Sequence, residues 1–325
     1  MTAVLDPVVE TPTLPPPAVR APGRAAEPEA APPATAARSQ MIERFVVWVL
    51  AVVVGLALVA YGFGPYFHQR DQRALLTRYR AEIERAANEA SGLGGVTVPT
   101  NAPSTGAPVA ILEIGAVKLQ AVVVEGVGSS ETRSGPGHVP GTAGLGQPGN
   151  SAVVGRSKAF GGDFAKLGQL HSGDQIVVTT TQGQSVYAVD SVHRVHLTSA
   201  SGSDGSIDSV YGPSKGDQLT LVTSASAAPW NRSDARVVVA KLQTEPFAPT
   251  PQGGRTAGST GTEGDDGALA SVFLALVGYG IVLGASVLLY RLLRPRTAYL
   301  LTVAPIVALT IISAETLSRV FPAWM

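Results

Sequence analysis

Leu219–Ala240, LTLVTSASAAPWNRSDARVVVA, reads as two buried strands, LTLVT and RVVVA, joined by a loop that carries Pro229, Trp230 and Asn231. Both runs are short, rich in β-branched residues and bounded by turn formers, the pattern of strands rather than helices. Ser224 then stands where the first strand ends and Arg236 opens the second. As neighbouring strands, they bring the serine and the guanidinium to one end of a sheet. Similar runs recur upstream as AILEI, LQAVVVEG, SAVVG, DQIVVTTT and QSVYAVDSV, separated by Gly, Pro, Asn and Asp turns, with one short helix candidate at Asp163–Leu170. Strands this frequent predict a mainly β fold, a closed or nearly closed barrel over residues 109–243.

The flanks are of different kinds. Residues 1–40 are rich in Ala and Pro with almost no aromatic residues, too little apolar surface to offset the entropy of ordering, so a disordered tail is expected. Phe45–Gly64, FVVWVLAVVVGLALVAYGFG, has no charge and as a helix would be about 30 Å long, the thickness of a bilayer core. A cleaved signal peptide is the competing reading. The run is too long for one, starts beyond a 40-residue tail and precedes no A-x-A site, so a transmembrane anchor is expected over 43–66. Residues 70–90 are helix formers, with Leu75, Leu76, Tyr79 and Ile83 on one face, a juxtamembrane stalk. Residues 91–108 and 244–267 read as linkers, the second too polar and too rich in Gly, Pro, Ser and Thr to order.

Two further apolar runs, 268–290 and 297–314, predict a C-terminal transmembrane hairpin, the second run kinked at Pro305. Gly280 and Gly284 form a G-x-x-x-G pair that would let helices approach closely, but in so glycine-rich a run chance is the better explanation. Arg291, Arg294 and Arg296 fill the short loop between the runs, and positive charge in such a loop stays cytoplasmic. The tail is then cytoplasmic, the β-domain extracytoplasmic, and the protein a multi-pass cell-membrane protein. Arg70, Arg73, Arg78, Arg80 and Arg85, just past the first anchor, argue the other way. The chain has 24 basic and 24 acidic residues and no cysteine, which offers nothing to nucleic acid and excludes disulfides and thiolate metal sites.

With Pro136–Phe164, PGHVPGTAGLGQPGNSAVVGRSKAFGGDF, the opening stretch resembles the sortase family, membrane-anchored cysteine transpeptidases of Gram-positive cell surfaces, in an actinobacterial type. The resemblance covers about 109–242 and implies the same barrel. It places the family's nucleophilic cysteine at Ser224, its histidine at Arg156, behind the glycine of GNSAVVGR, and its arginine at Arg236. In the sortase mechanism a thiolate attacks a peptide carbonyl, the histidine protonates the leaving amine and the arginine steadies the developing oxyanion. Ser224 is a far weaker nucleophile without a base. Arg156 cannot be that base, since a guanidinium has no acceptor lone pair.

The resemblance therefore implies a pseudo-sortase, anchored in the membrane and binding a peptide, an envelope component or a membrane-protein partner. If the family geometry holds, Arg156 and Arg236 flank the Ser224 hydroxyl as a site for a carboxylate or phosphate. The competing reading pairs Arg156 with Asp163. Two other functions stand beside the first: a serine-dependent acyl-transfer enzyme on the same barrel, and a spacer whose transmembrane hairpin makes the partner contacts. No cofactor is implied. His138 lies in a segment the family does not use catalytically, and His171 falls in a turn. His193 and His196, spaced H-x-x-H, lack a third ligand and read as solvated, and Asp204 and Asp208 read as a polar loop rather than a calcium site.

Overall fold

The computed structural model of the chain describes residues 50, 53–55, 64–93, 98–198, 205–228, 231–254, 260–262, 264–265, 267–292, 295–320 and 322–325. The expected tail at 1–40 and most of the first apolar run, 43–66, lie outside the described residues.

Eight strands close a barrel: β1 (Pro108–Ile114), β2 (Leu119–Glu125), β3 (Gly137–His138), β4 (Asn150–Val154), β5 (Gln175–Thr180), β6 (Gly183–His196), β7 (Gln218–Ser224) and β8 (Asp234–Leu242). Around the barrel their order is β1-β2-β3-β4-β7-β8-β6-β5. The pairs β2/β3 and β4/β7 are parallel and the others antiparallel. The 14-residue β6 pairs with β5 through its first half and with β8 through its second, with a register shift between Val189 and Ser191.

Alternation along the strands separates two apolar layers. Leu112, Ile176, Leu219, Leu221 and Val238 share the barrel interior with Phe164 and Leu167. Leu167 belongs to a 3-10 turn, Leu167–Gln169, which is what the helix candidate at Asp163–Leu170 becomes. The alternate residues Ala152, Val154, Val222, Ala235 and Val237 face outward into a second cluster. That cluster is covered by α3 (Ile207–Tyr211) and by Trp324. Neither α3 nor α2 (Glu131–Ser134) is evident from the sequence pattern, because a single helical turn has no periodicity to read.

The helix α1 spans Gly64–Leu93, longer at both ends than the 70–90 read from the sequence. It is packed on the barrel rather than standing off as a stalk: Tyr79 is buried with Ile111 and Val122, and Leu75, Leu76 and Ile83 surround them. Gln72 caps the same contact, its Oε1 accepting from Val122 N at 2.7 Å. Residues 244–254, read from composition as part of a disordered linker, are held on the barrel instead. Phe247 N donates to Gly146 O at 2.8 Å and Thr250 N to Gln147 Oε1 at 3.0 Å, so backbone and amide pairing does what apolar burial cannot.

Two long helices follow, α4 (Ala268–Leu292) and α5 (Pro295–Val320), with Pro305 inside the second. They form a hairpin in which Tyr279 Oη donates to Thr310 Oγ1 at 3.1 Å. Among the described residues one span, Ala268–Ser286, is long and apolar enough to cross a membrane, and Leu301–Ser313 is a shorter apolar segment.

Candidate functional site

The parallel pair β4/β7 sets the site. Val154 lies opposite Val222, Gly155 N donates to Val222 O at 3.0 Å, and Thr223 Oγ1 donates to Gly155 O at 2.8 Å. Two residues past that last strand pair come Arg156 and Ser224, at the neighbouring ends of the two strands, with Ser224 on the outward face that Val222 shares.

Ser224 is 6% exposed and its Oγ accepts from Ser226 N at 3.3 Å. Among the described residues, no histidine or carboxylate is hydrogen-bonded to that hydroxyl. The chain then turns away from the strand end, where Lys158 Nζ donates to Ser226 O at 3.1 Å.

Arg156 is 2% exposed. Its Nη2 donates to Ser129 O at 2.9 Å, its guanidinium carbon stands 5.2 Å from the centre of the Phe160 ring, and its Nε–H is buried without a partner. Burial, with Arg133 nearby, pulls the guanidinium down to about 10, which leaves it charged at neutral pH. Asp163 is not its partner. That carboxylate accepts from His68 Nε2 at 2.9 Å, while His68 Nδ1 donates to Arg133 O at 2.9 Å. Burial alone would lower the His68 pKa, but the bond to Asp163 and the charge of that carboxylate outweigh it, and the net shift is upward.

Arg236 stands apart. It lies opposite Thr223 in the β7/β8 register and opposite Arg194 in β6/β8, whereas Ser224 faces Ala235. Arg236 therefore projects from the face opposite Ser224, toward the barrel interior. There its guanidinium lies over Gly168, where an added Cβ would come within 2.6 Å of the guanidinium carbon. The expected pair of guanidiniums thus reduces, at Ser224, to Arg156.

Two other histidines, His138 and His196, have structural partners. His138 is buried between Glu125 Oε2 at 2.8 Å and Ala143 O at 2.9 Å. His196 is solvent-exposed and pairs with Asp234 at 2.9 Å. The described residues hold no cluster of three or more His, Cys, Asp or Glu side chains fit for a metal. Asp204 lies outside the described residues.

Two participants had no signal in the sequence: Ser129, whose carbonyl orients Arg156, and Trp324, whose carbonyl accepts from Ser157 N at 3.0 Å. Each reaches the site from a distant part of the chain.

The Sortase domain family matches residues 112–243. Among solved structures, the sortase D5 transpeptidase of Clostridium perfringens aligns at 19% identity and a TM-score of 0.44, over 54% of this chain and 99% of its own. Sortase E of Streptomyces avermitilis aligns at 29% identity and 0.36, over 44% and 93%, and sortase E1 of Streptomyces coelicolor at 24% and 0.36, over 46% and 94%. No curated protein matches the chain. The match runs along the barrel from the second half of β1 to the end of β8, so what the chain carries there is a sortase-like domain, in a sequence without a cysteine.

Proposed function

We propose that the protein is a pseudo-sortase: a membrane-anchored, extracytoplasmic sortase-fold domain that has given up transpeptidase chemistry and binds a peptide of the envelope or of a membrane partner. The observation that carries this reading is the pair Ser224 and Arg156 at the joined ends of β4 and β7. An alcohol is many units less acidic than a thiol and needs a base within hydrogen-bond reach, and the neighbour here is a guanidinium with no lone pair to offer. Arg156 can instead receive an acceptor on a bound chain, since its Nε–H is unsatisfied.

Anchoring and orientation are part of the proposal. Two contacts support it: Gly64, the last residue of the first apolar run in the sequence, lies against Phe160, and Arg319 O accepts from Asp265 N at 2.7 Å and from Ser129 Oγ at 3.2 Å. The helix ends at Leu292 and Pro295, close in sequence to the arginines of the short loop, are then the far end of the hairpin. The arginines of α1 weigh little against this, because α1 is part of the folded domain and domains cross largely regardless of charge.

The test is a fluorophosphonate probe and a peptide-cleavage assay on the full chain. The expected result is no labelling at Ser224 and no turnover, with Ser224→Cys giving an alkylatable thiol that turns over little. Steady turnover that vanishes in Ser224→Ala would establish the serine enzyme and end the pseudo-sortase reading.

A further inference from the structure

Beyond α5 the chain returns to the barrel. Pro322, Ala323 and Trp324 are buried, and Trp324 is the largest fully buried side chain among the described residues. Its indole packs in the outward cluster that holds Ala152 and Val154 of β4, Val222 of β7, and Ala235 and Val237 of β8. This is the face on which Ser224 stands, with Arg156 at the neighbouring strand end. The segment is pinned on both sides of Arg156: Trp324 O accepts from Ser157 N at 3.0 Å, and Arg319 O accepts from Ser129 Oγ, whose own carbonyl accepts from Arg156.

The fit is good in shape and poor in polarity. The indole N–H of Trp324, the Nε–H of Arg156 and the hydroxyl of Ser157 are all buried without a partner. Buried donors nearly always find acceptors, and a core tryptophan usually bonds its N–H. Three orphans beside one short segment describe a groove that a chain bearing more acceptors would fill better. The segment also arrives tethered to the end of α5, so its local concentration is high whatever its intrinsic affinity.

We propose that the outward face of β4, β7 and β8 is a groove for an extended peptide with an aromatic anchor, and that residues 322–325, PAWM, occupy it in cis as a displaceable gate. The trans ligand is of the same class, an apolar peptide whose indole or phenyl ring takes the Trp324 pocket and whose acceptor groups meet Arg156 and Ser157. The inference rests on the peptide-binding reading above and deepens it by naming the occupant and the side chain that is read. It also gives the hairpin a function, since a shift of α5 would draw the segment out of the groove.

The experiment uses the full chain in nanodiscs, with and without residues 322–325, and the probe is fluorescein-labelled acetyl-PAWM-amide. Anisotropy is expected to show binding at least tenfold tighter to the deletion variant than to the intact chain, and at least tenfold weaker when the probe's tryptophan is replaced by alanine. Amide exchange at Ser157 is expected to be slow in the intact chain, at least tenfold faster after deletion, and slow again with probe. Equal probe binding by the two chains overturns the proposal, as does a Ser157 amide indifferent to the deletion. If the deletion unfolds the barrel, Trp324→Ala in the uncut chain is the second variant: folded and binding probe, it upholds the gate, whereas a barrel that melts early and gains no thermal stability from probe makes the segment a structural staple and rejects it. A deletion variant that binds acidic peptides but not acetyl-PAWM-amide defeats this inference alone, while turnover dependent on Ser224 defeats the reading beneath it.

Discussion

A guanidinium with almost no exposed surface and an unbonded Nε–H is costly to fold around. The drop of the Arg156 pKa from 12.5 to about 10 corresponds to an expense on the order of 3 kcal/mol. The Phe160 contact and the bond to Ser129 O return roughly 1–2 kcal/mol each. Arg156→Met, which keeps volume and drops the charge, is therefore expected to unfold in urea within about 1 kcal/mol of wild type, because replacing a buried charge with a packed apolar side chain is often neutral. Arg156→Ala, which also leaves a hole, is expected to lose about 2 kcal/mol or more. A loss above about 2 kcal/mol in Arg156→Met would mean that the charge is paired in solution, and would remove it from the ligand site. The meeting of Ser224 and Arg156 was legible only through the family resemblance; the strand pattern marks the ends of β4 and β7 but not that these strands are neighbours. Arg236 was legible as a strand residue but not as to its face, because a one-residue step in register moves a side chain across the sheet.

The helix α1 shows what periodicity does and does not convey. Leu75, Leu76, Tyr79 and Ile83 mark one face, and that face is buried; what it meets, Ile111 and Val122 on the outside of β1 and β2, depends on tertiary register that no local pattern encodes. The linkers at 91–108 and 244–267 suggested a domain that folds without its neighbours. Loss of α1 uncovers three buried apolar side chains' worth of contact, several kcal/mol at about 1.5–3 kcal/mol each. A fragment of residues 64–254 is accordingly expected to melt well above one of residues 98–254; equal melting temperatures would return α1 to the status of a stalk. The polar end of the same contact is pH-dependent. The folded-state pKa of His68 lies above its unfolded value of 6.5, because both ring nitrogens donate, one to Asp163 and one to Arg133 O. The stabilisation is then complete below pH 6.5 and is lost as pH rises through the raised folded value. The 64–254 fragment is expected to lose melting temperature from pH 6 to pH 8 relative to His68→Gln, and parallel profiles for the two would show that the pair contributes nothing to the dock.

At the scale of the whole molecule, the barrel and the apolar runs were both visible in the sequence because each is a repeated or sustained pattern, strands every ten or so residues and uncharged stretches of bilayer length. The closure order, with its two parallel pairs, and the return of residues 322–325 to the barrel were not, since both depend on contacts far apart in sequence. Orientation is where the two kinds of information combine. Gly64 lies against Phe160, and Arg319 O, near the end of α5, accepts from Asp265 N and Ser129 Oγ, so under the proposed anchoring the β-domain and the helix ends at Leu292 and Pro295 lie on opposite sides of a membrane. The absence of cysteine makes this directly testable, because any introduced thiol is the sole one. Ala116→Cys, in the exposed turn between β1 and β2, is expected to react with a membrane-impermeant maleimide in intact cells, and Ser39→Cys only after permeabilisation. The reverse pattern would put the barrel in the cytoplasm, where neither a surface peptide nor an envelope component could reach the face of Ser224 and Arg156, and the arginines of α1 rather than those of the hairpin turn would then be the charges that set the topology.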